Sequence, residues 1–522
     1  VPGSSPRLDP RRWLALAALA WVAGAGAAAG ADEIDGRIGG VDDEEAAEAP
    51  GGAPLSEEAV DDLIGGFEDE EAAEAPGEAP PSDRAIEELI GGFEEEESPA
   101  EPEARPEATP PEEPSFWDRW QLGGSAGFQA SVNYLSHDAL NGTDWTGLSM
   151  LRARLGLELD GDLPWDWKLR VDGYGFYDFA YLIDGRDGFT SQVLDQYEWD
   201  LLLQDAYVQG SLTDDLDLKI GRQVVNWGRS DSLRVLDVLN PIDNRQPGIG
   251  DLEDLRLSVA MLRADYYVDR WSFTGLLIPE IRFSKQPVFG NDFFPSPVPL
   301  PPEDRPDDWS GDLEYAFAIS GIFQGWDVSF HFARYWEDVV FIDPGSVFQH
   351  SHLWMGGAGG NYTIGSWLFK AELAYLDGFG FTDLSDPVDP TVERKSRLDF
   401  MGGVEYYGIN DWQFSLEIVN RHLFDFEAFM RGAPNFAQRN ALETAIRITG
   451  NFMNDRLEVT LLGIILGERA QDGSAVRLSA NYEIRDALEV EGGILLFQKG
   501  NLPTFQHIGR NDRLYLELKY SF

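Results

Sequence analysis

The sequence predicts an all-β chain: a transmembrane antiparallel β-barrel of about 18 strands, with 16 as the alternative count, and a disordered acidic N-terminal arm. Three observations carry this. Residues 514–522 alternate so that Leu514, Leu516, Leu518, Tyr520 and Phe522 share one wholly apolar face opposite Tyr515, Glu517, Lys519 and Ser521, which is strand periodicity. Segments of this kind are joined by connections that are alternately brief and long, as in barrels with short turns at one end and long loops at the other. Beyond residue 31 no stretch approaches the roughly 20 apolar residues a membrane helix needs, so a membrane span must be built of strands.

Taken in order, residues 1–31 read as a secretory signal. Arg11-Arg12 precede the short apolar run 13–23, and Ala29-Gly30-Ala31 offer a small-residue cleavage site before Asp32. The chain has no Cys, which removes thiol chemistry, cysteine zinc sites and a lipid anchor on cysteine. Its formal charge of −52 excludes nucleic acid as a partner, since phosphate binding requires clustered Lys and Arg.

Residues 32–114 form the arm. Thirty Asp and Glu stand there against Arg37, Arg84 and Arg105, about half of the total net charge. Ile38-Gly39-Gly40-Val41, Ile64-Gly65-Gly66-Phe67 and Ile90-Gly91-Gly92-Phe93 recur at a 26-residue period. In the two full copies Ser56 or Ser82 can cap a two-turn helix that the Gly pair stops. Ala, Glu and Pro between copies bury too little surface to offset chain entropy. The arm therefore reads as a solvated periplasmic spacer. Its second reading is a set of linear motifs, Leu63, Ile64, Phe67 and Leu89, Ile90, Phe93, offered repeatedly to a groove on a periplasmic protein partner.

Residues 115–522 form the barrel. Leu151, Ala153, Leu155, Leu157 and Leu159 oppose Arg152, Arg154, Glu158 and Asp160, and Trp167, Leu169 and Val171 oppose Lys168, Arg170 and Asp172. Faces this different argue for lipid outside and water or polar packing inside. Brief connections at 163–164, 213–215, 269–270, 325–326, 365–366, 410–411, 454–455 and 485–486 alternate with long ones, which counts to 18 strands with both termini periplasmic. Trp165, Trp167, Trp271, Trp326, Trp367 and Trp412 follow brief connections, where an aromatic girdle would meet the membrane interface. The closing strand ending on Phe522 resembles the assembly signal of bacterial outer-membrane barrels, which implies outer-membrane lipid and the barrel-assembly machinery as partners.

Strand five contains Gly221-Arg222-Gln223 and is followed by Trp227-Gly228, Asn240-Pro241 and Ile278-Pro279. Over about 200–295 the chain resembles a large, uncharacterised family of proteobacterial (Gram-negative) outer-membrane barrels marked by a Gly-Arg-Gln and Trp-Gly signature; the resemblance implies a barrel placed beside lipid or solute exporters. Gly221 allows a bulge or close backbone approach, which would re-aim Arg222 into the lumen. In the following loop Ser232 can cap a helical turn carrying Leu233, Val235, Leu236 and Leu239 beside Asp237 and Asn240. Apolar residues in a loop next to water need cover, so the turn is expected inside the barrel against Arg222, Trp227 and Tyr174, as a constriction. The loop at 284–311 holds seven prolines, which stiffen it without giving its backbone a sheet to join.

No catalytic chemistry stands out. His350 and His352 share a strand face without a visible third metal ligand, no Ser and His pair is singled out for a lipase, and no loop has calcium-ligand spacing. The expected function is therefore not enzymatic and needs no cofactor: a porin-like channel or the outer-membrane part of a solute or lipid transport system. Arg152, Arg154, Lys168, Arg170 and Arg222 are expected to line its pore, which among the acids of the barrel gives a mixed lumen rather than an anion-selective one. The alternative is a structural or interaction protein whose barrel anchors the arm to a periplasmic partner.

Overall fold

The computed structural model describes residues 119–522 except 136–137, 308, 310, 386–389 and 433–434. Residues 1–31 and 32–114, read above as a signal and an acidic arm, and the motif residues within them lie outside the described residues. The strands, in chain order, are β1 (Trp120–Asn133), β2 (Gly147–Asp162), β3 (Lys168–Asp178), β4 (Trp199–Thr213), β5 (Leu216–Gln223), β6 (Val259–Val268), β7 (Trp271–Ile278), the two-residue β8 (Glu303–Asp304), β9 (Glu314–Phe323), β10 (Trp326–Ile342), β11 (Phe348–Ile364), β12 (Trp367–Asp383), β13 (Thr391–Ile409), β14 (Trp412–Leu423), β15 (Asn440–Phe452), β16 (Leu457–Leu466), β17 (Gly473–Arg485), β18 (Leu488–Gln498) and β19 (Arg513–Ser521). Apart from β8, each pairs antiparallel with its neighbours, and β1 pairs with β19, Phe128 opposite Leu518. Among the described residues this is a closed barrel of eighteen strands, as the connection lengths predict, and not of sixteen.

Closure leaves no sheet edge and gives every strand one outer and one inner face. Outward side chains are apolar: Leu155, Leu157, Leu516 and Leu518 stand exposed, and Leu201 and Ile322 keep 77% and 73% of their surface open. At roughly 25 cal/mol per Å², a belt of such side chains would be costly in water and is suited to a bilayer. Among the described residues no helix is long and apolar enough to cross a membrane.

The girdle tryptophans all sit at the short-turn end, and several are seated on glycine. Trp271 and Trp412 lie directly across from Gly321 and Gly450 on the neighbouring strand, the Trp167 ring covers Gly210, and Trp120, which is not one of the six expected girdle residues, lies across from Gly161 in the same way. A missing Cβ leaves the flat bed on which each ring rests.

The long-loop end corrects one expectation. Despite its prolines, the segment after β7 does join the sheet: Glu303 and Asp304 pair in parallel with Phe348 and Gln349 of β11. Its side chain helps, since Glu303 bonds His350 Nε2 at 2.6 Å and Phe283 stacks on the His350 ring at 3.5 Å. The bond from His350, with Arg305 beside it, holds the Glu303 carboxyl down to about 2. A depressed carboxyl pKa contributes stability that is complete above its ordinary value and is lost as pH falls through the folded one. The segment is thus expected to stay docked at pH 4 and to loosen towards pH 2, whereas Glu303→Gln loosens it throughout. Pepsin cleavage within 284–311, followed across that range, checks this.

Candidate functional site

Residues 224–258 leave β5 at the long-loop end and fold into the barrel. Trp227, Leu233, Val235, Leu236 and Leu239 are buried in one cluster with Leu353, Met355, Leu376, Met401 and Val419 from the inner faces of β11–β14. Leu236 is fully covered because β11 has no side chains where it lands. A Cβ on Gly357 would stand 2.3 Å from Leu236 Cδ2, and one on Gly359 would stand 3.0 Å from Cδ1.

The loop's backbone is held as firmly as its side chains. Glu372 of β12 accepts the amides of Arg229, Ser230 and Leu236, the latter two at 3.1 Å. Glu417 of β14 accepts the Ser230 hydroxyl at 2.6 Å and the amides of Asp231 and Ser232 at 2.9 and 3.2 Å. Both carboxyl groups are 1% exposed, and the loop donors around each one satisfy the acceptors that burial takes from water. Lys370 ties Asp231 at 2.8 Å, and Arg421 donates to the Arg234 carbonyl at 2.8 Å. This anchoring replaces the expected helix. Residues 232–241 are bends and irregular backbone with no helical turn, and Ser230 rather than Ser232 makes the local turn, its hydroxyl accepting from the Leu233 amide at 2.9 Å. The packing partners also differ from expectation: Trp227 joins the cluster, whereas Arg222 and Tyr174 do not.

Asp237 and Asn240 organise the return of the loop. Asp237 receives Arg256 at 2.9 Å and lies 3.5 Å from Arg234. The Asn240 carboxamide accepts from the Val225 amide and donates to the Leu257 carbonyl, both at 2.8 Å, pinning the two ends of the loop together.

Two cavities flank this loop. One, of about 830 Å³, lies between residues 243–256 and the wall formed by β1–β4 and β16–β19; the other, of about 230 Å³, lies beyond Arg234–Leu239 against β10. Arg152 and Arg154 line the larger. Arg152 is bonded to Asp178 at 3.1 Å, and the Arg154 guanidinium rests 3.7 Å over the Tyr174 ring. Lys168 and Arg170 lie nearer the short-turn end, outside both cavities, and Arg170 is paired with Glu158 at 2.8 Å.

Arg222 corrects the sequence reading. Gly221 adopts φ +131° with its Cα against the Ala206 carbonyl, a close approach only glycine permits, yet the pairing of β5 with β4 and β6 runs through Arg222 without a shift. Arg222 therefore keeps the outward register of Ile220, and its guanidinium reaches over β6 to Glu280. It does not line either cavity.

The structure does bring one Ser and His together, unsignalled by the sequence. His331 Nε2 is 2.9 Å from Ser329 Oγ, but both are buried, the Trp227 ring lies 4.8 Å from the His331 ring, the other ring nitrogen has no partner, and neither residue lines either of the two cavities. Among the described residues no group of three or more His, Asp or Glu could hold a metal ion.

No curated protein matches the chain. Similar solved structures include OccAB2 of Acinetobacter baumannii (10% identity over 78% of this chain and 99% of that one, TM-score 0.47). A BenF-like porin from Pseudomonas fluorescens Pf-5 is similar at 9% identity over 78% and 100%, TM-score 0.48, and OpdK of Pseudomonas aeruginosa with vanillate at 10% over 78% and 100%, TM-score 0.46. The family described as "Protein of unknown function (DUF1302)" matches residues 12–522, nearly the whole chain, so this barrel with its Gly221-Arg222-Gln223 strand belongs to that family.

Proposed function

We propose that the protein is a porin-like channel of the bacterial outer membrane, or the outer-membrane component of a solute or lipid transport system, with its passage narrowed by residues 224–258. The observation that carries this reading is a closed barrel with an apolar outer face and a polar cavity of about 830 Å³ against its inward loop. Arg152 and Arg154 are the pore-lining cations in this reading, and Leu233, Val235, Leu236, Asp237 and Asn240 belong to the constriction. The short turns and both ends of the barrel face the periplasm, where the arm extends Leu63, Ile64, Phe67, Leu89, Ile90 and Phe93 to a partner. Outer-membrane lipid and the barrel-assembly machinery complete the set of partners, and the function is not enzymatic.

Planar-bilayer recording of the purified chain with and without residues 32–114 tests this. Both forms are expected to conduct, with the same unit conductance, because the passage is built by the barrel and its loop. A silent barrel in both forms would overturn the channel reading and leave the anchor of a periplasmic arm as the better one.

A further inference from the structure

The wall of the larger cavity opposite the inward loop carries a row of polar residues whose three carboxylates form no salt bridge among the described residues. Register places Arg152, Gln129, Glu517, Glu491, Asn481 and Glu458 directly across from one another on β2, β1, β19, β18, β17 and β16, and all six line the cavity. Arg152 at the end of the row is engaged by Asp178. The three carboxylates have only neutral donors: Gln129 Nε2 to Glu517 at 3.0 Å, the Tyr515 hydroxyl to Glu491 at 2.7 Å and Thr460 Oγ1 to Glu458 at 3.3 Å. Between Glu491 and Glu458, the buried Asn481 Oδ1 has no donor at all.

Most of the cations nearby are engaged by groups outside the row. Arg477 binds Asp251 and the Ile249 carbonyl, the latter at 2.7 Å; Arg245 binds Asp243 at 2.6 Å and Asp200 at 2.9 Å; Arg154 rests over the Tyr174 ring, and both it and Lys519 act on Asp254 of the loop. From the loop side, Glu253 and Asp254 add further negative charge to the cavity. Like charges directly across a strand pair destabilise a sheet, and Glu517 faces Glu491 in that way. The remaining lone pairs of these carboxylates match a solute that brings several N–H donors and a positive charge.

Resting on the channel reading above, the geometry points to cationic, ammonium-bearing solutes as the class this cavity takes, with Glu458, Glu491 and Glu517 setting the preference. A lumen that concentrates cations raises their flux and lowers that of anions.

Full chain in proteoliposomes, with uptake of L-lysine against L-glutamate and the reversal potential in a KCl gradient, tests this. Lysine is expected to enter several-fold faster than glutamate, with a cation-directed reversal potential. Glu458→Gln, Glu491→Gln and Glu517→Gln together should bring the uptake ratio close to one. Equal entry, faster glutamate, or a ratio untouched by the triple variant overturns the cationic class while leaving a channel; no flux of either solute removes the channel reading itself. Glu491→Gln alone is expected to raise the melting temperature by relieving the Glu517 contact. A lowered one would make the row a structural brace and overturn its role as a ligand wall.

Discussion

Glu372→Ala combined with Glu417→Ala is expected to release residues 229–241 from the barrel wall and raise unit conductance several-fold, with the barrel itself still folded. The two carboxylates take six donors from the loop, five of them backbone amides. Each buried donor left without an acceptor costs about 1–3 kcal/mol, against about 1.5–3 kcal/mol gained by burying each of Leu233, Val235, Leu236 and Leu239. Six losses thus match or exceed four gains even before the loop recovers conformational entropy on release. Water can satisfy the freed amides only if the loop moves away from β12 and β14. The barrel strands keep their own ladder hydrogen bonds, so heat-modifiable mobility in electrophoresis should persist. Conductance and the protease resistance of the loop report the outcome together; if both stay at wild-type values, the carboxylates do not hold the loop.

The barrel was legible because its signals are local. Two-residue alternation gives each strand its faces, and the alternation of brief and long connections gives the count, so neither needs knowledge of which distant segments meet. The inward loop was legible only as an apolar segment needing cover. Its landing place was not, because Glu372 and Glu417 lie 136–187 residues from the loop atoms they bind, and an inward Glu on a barrel strand looks like any other lumen residue. The Met355-Gly-Gly-Ala-Gly-Gly360 run in β11 was the available signal: glycines inside a strand mark a close approach, here that of Leu236. The capped helical turn failed for the same non-local reason, since the amides a helix would have paired are taken by carboxylates from the far wall. Arg222 failed because a glycine read as a bulge can instead absorb a close contact through φ alone, leaving the register of the next residue unchanged.

Removing the rings seated on glycine is expected to lower barrel stability by nearly additive steps. Trp167→Ala, Trp271→Ala and Trp412→Ala each strip a ring from a strand that does not neighbour the other two, so their effects should sum. Each should cost less than the about 3–5 kcal/mol of a fully buried Trp, because one side of the girdle faces the interface. The glycine beds allow a sharper test than the rings alone. A Cβ on Gly321 would lie 2.8 Å from the Trp271 ring and 2.9 Å from that of Phe323, whereas one on Gly450 would lie 3.2 Å from Trp412 and 3.1 Å from Phe452. Gly321→Ala is therefore expected to destabilise the barrel more than Gly450→Ala. Adding Gly321→Ala to a Trp271→Ala background should cost less than it does alone, since one of the two rings it would strike is gone. Urea unfolding in lipid vesicles measures all of these, and equal costs for Gly321→Ala with and without Trp271 would show that the ring does not rest on its neighbour's glycine.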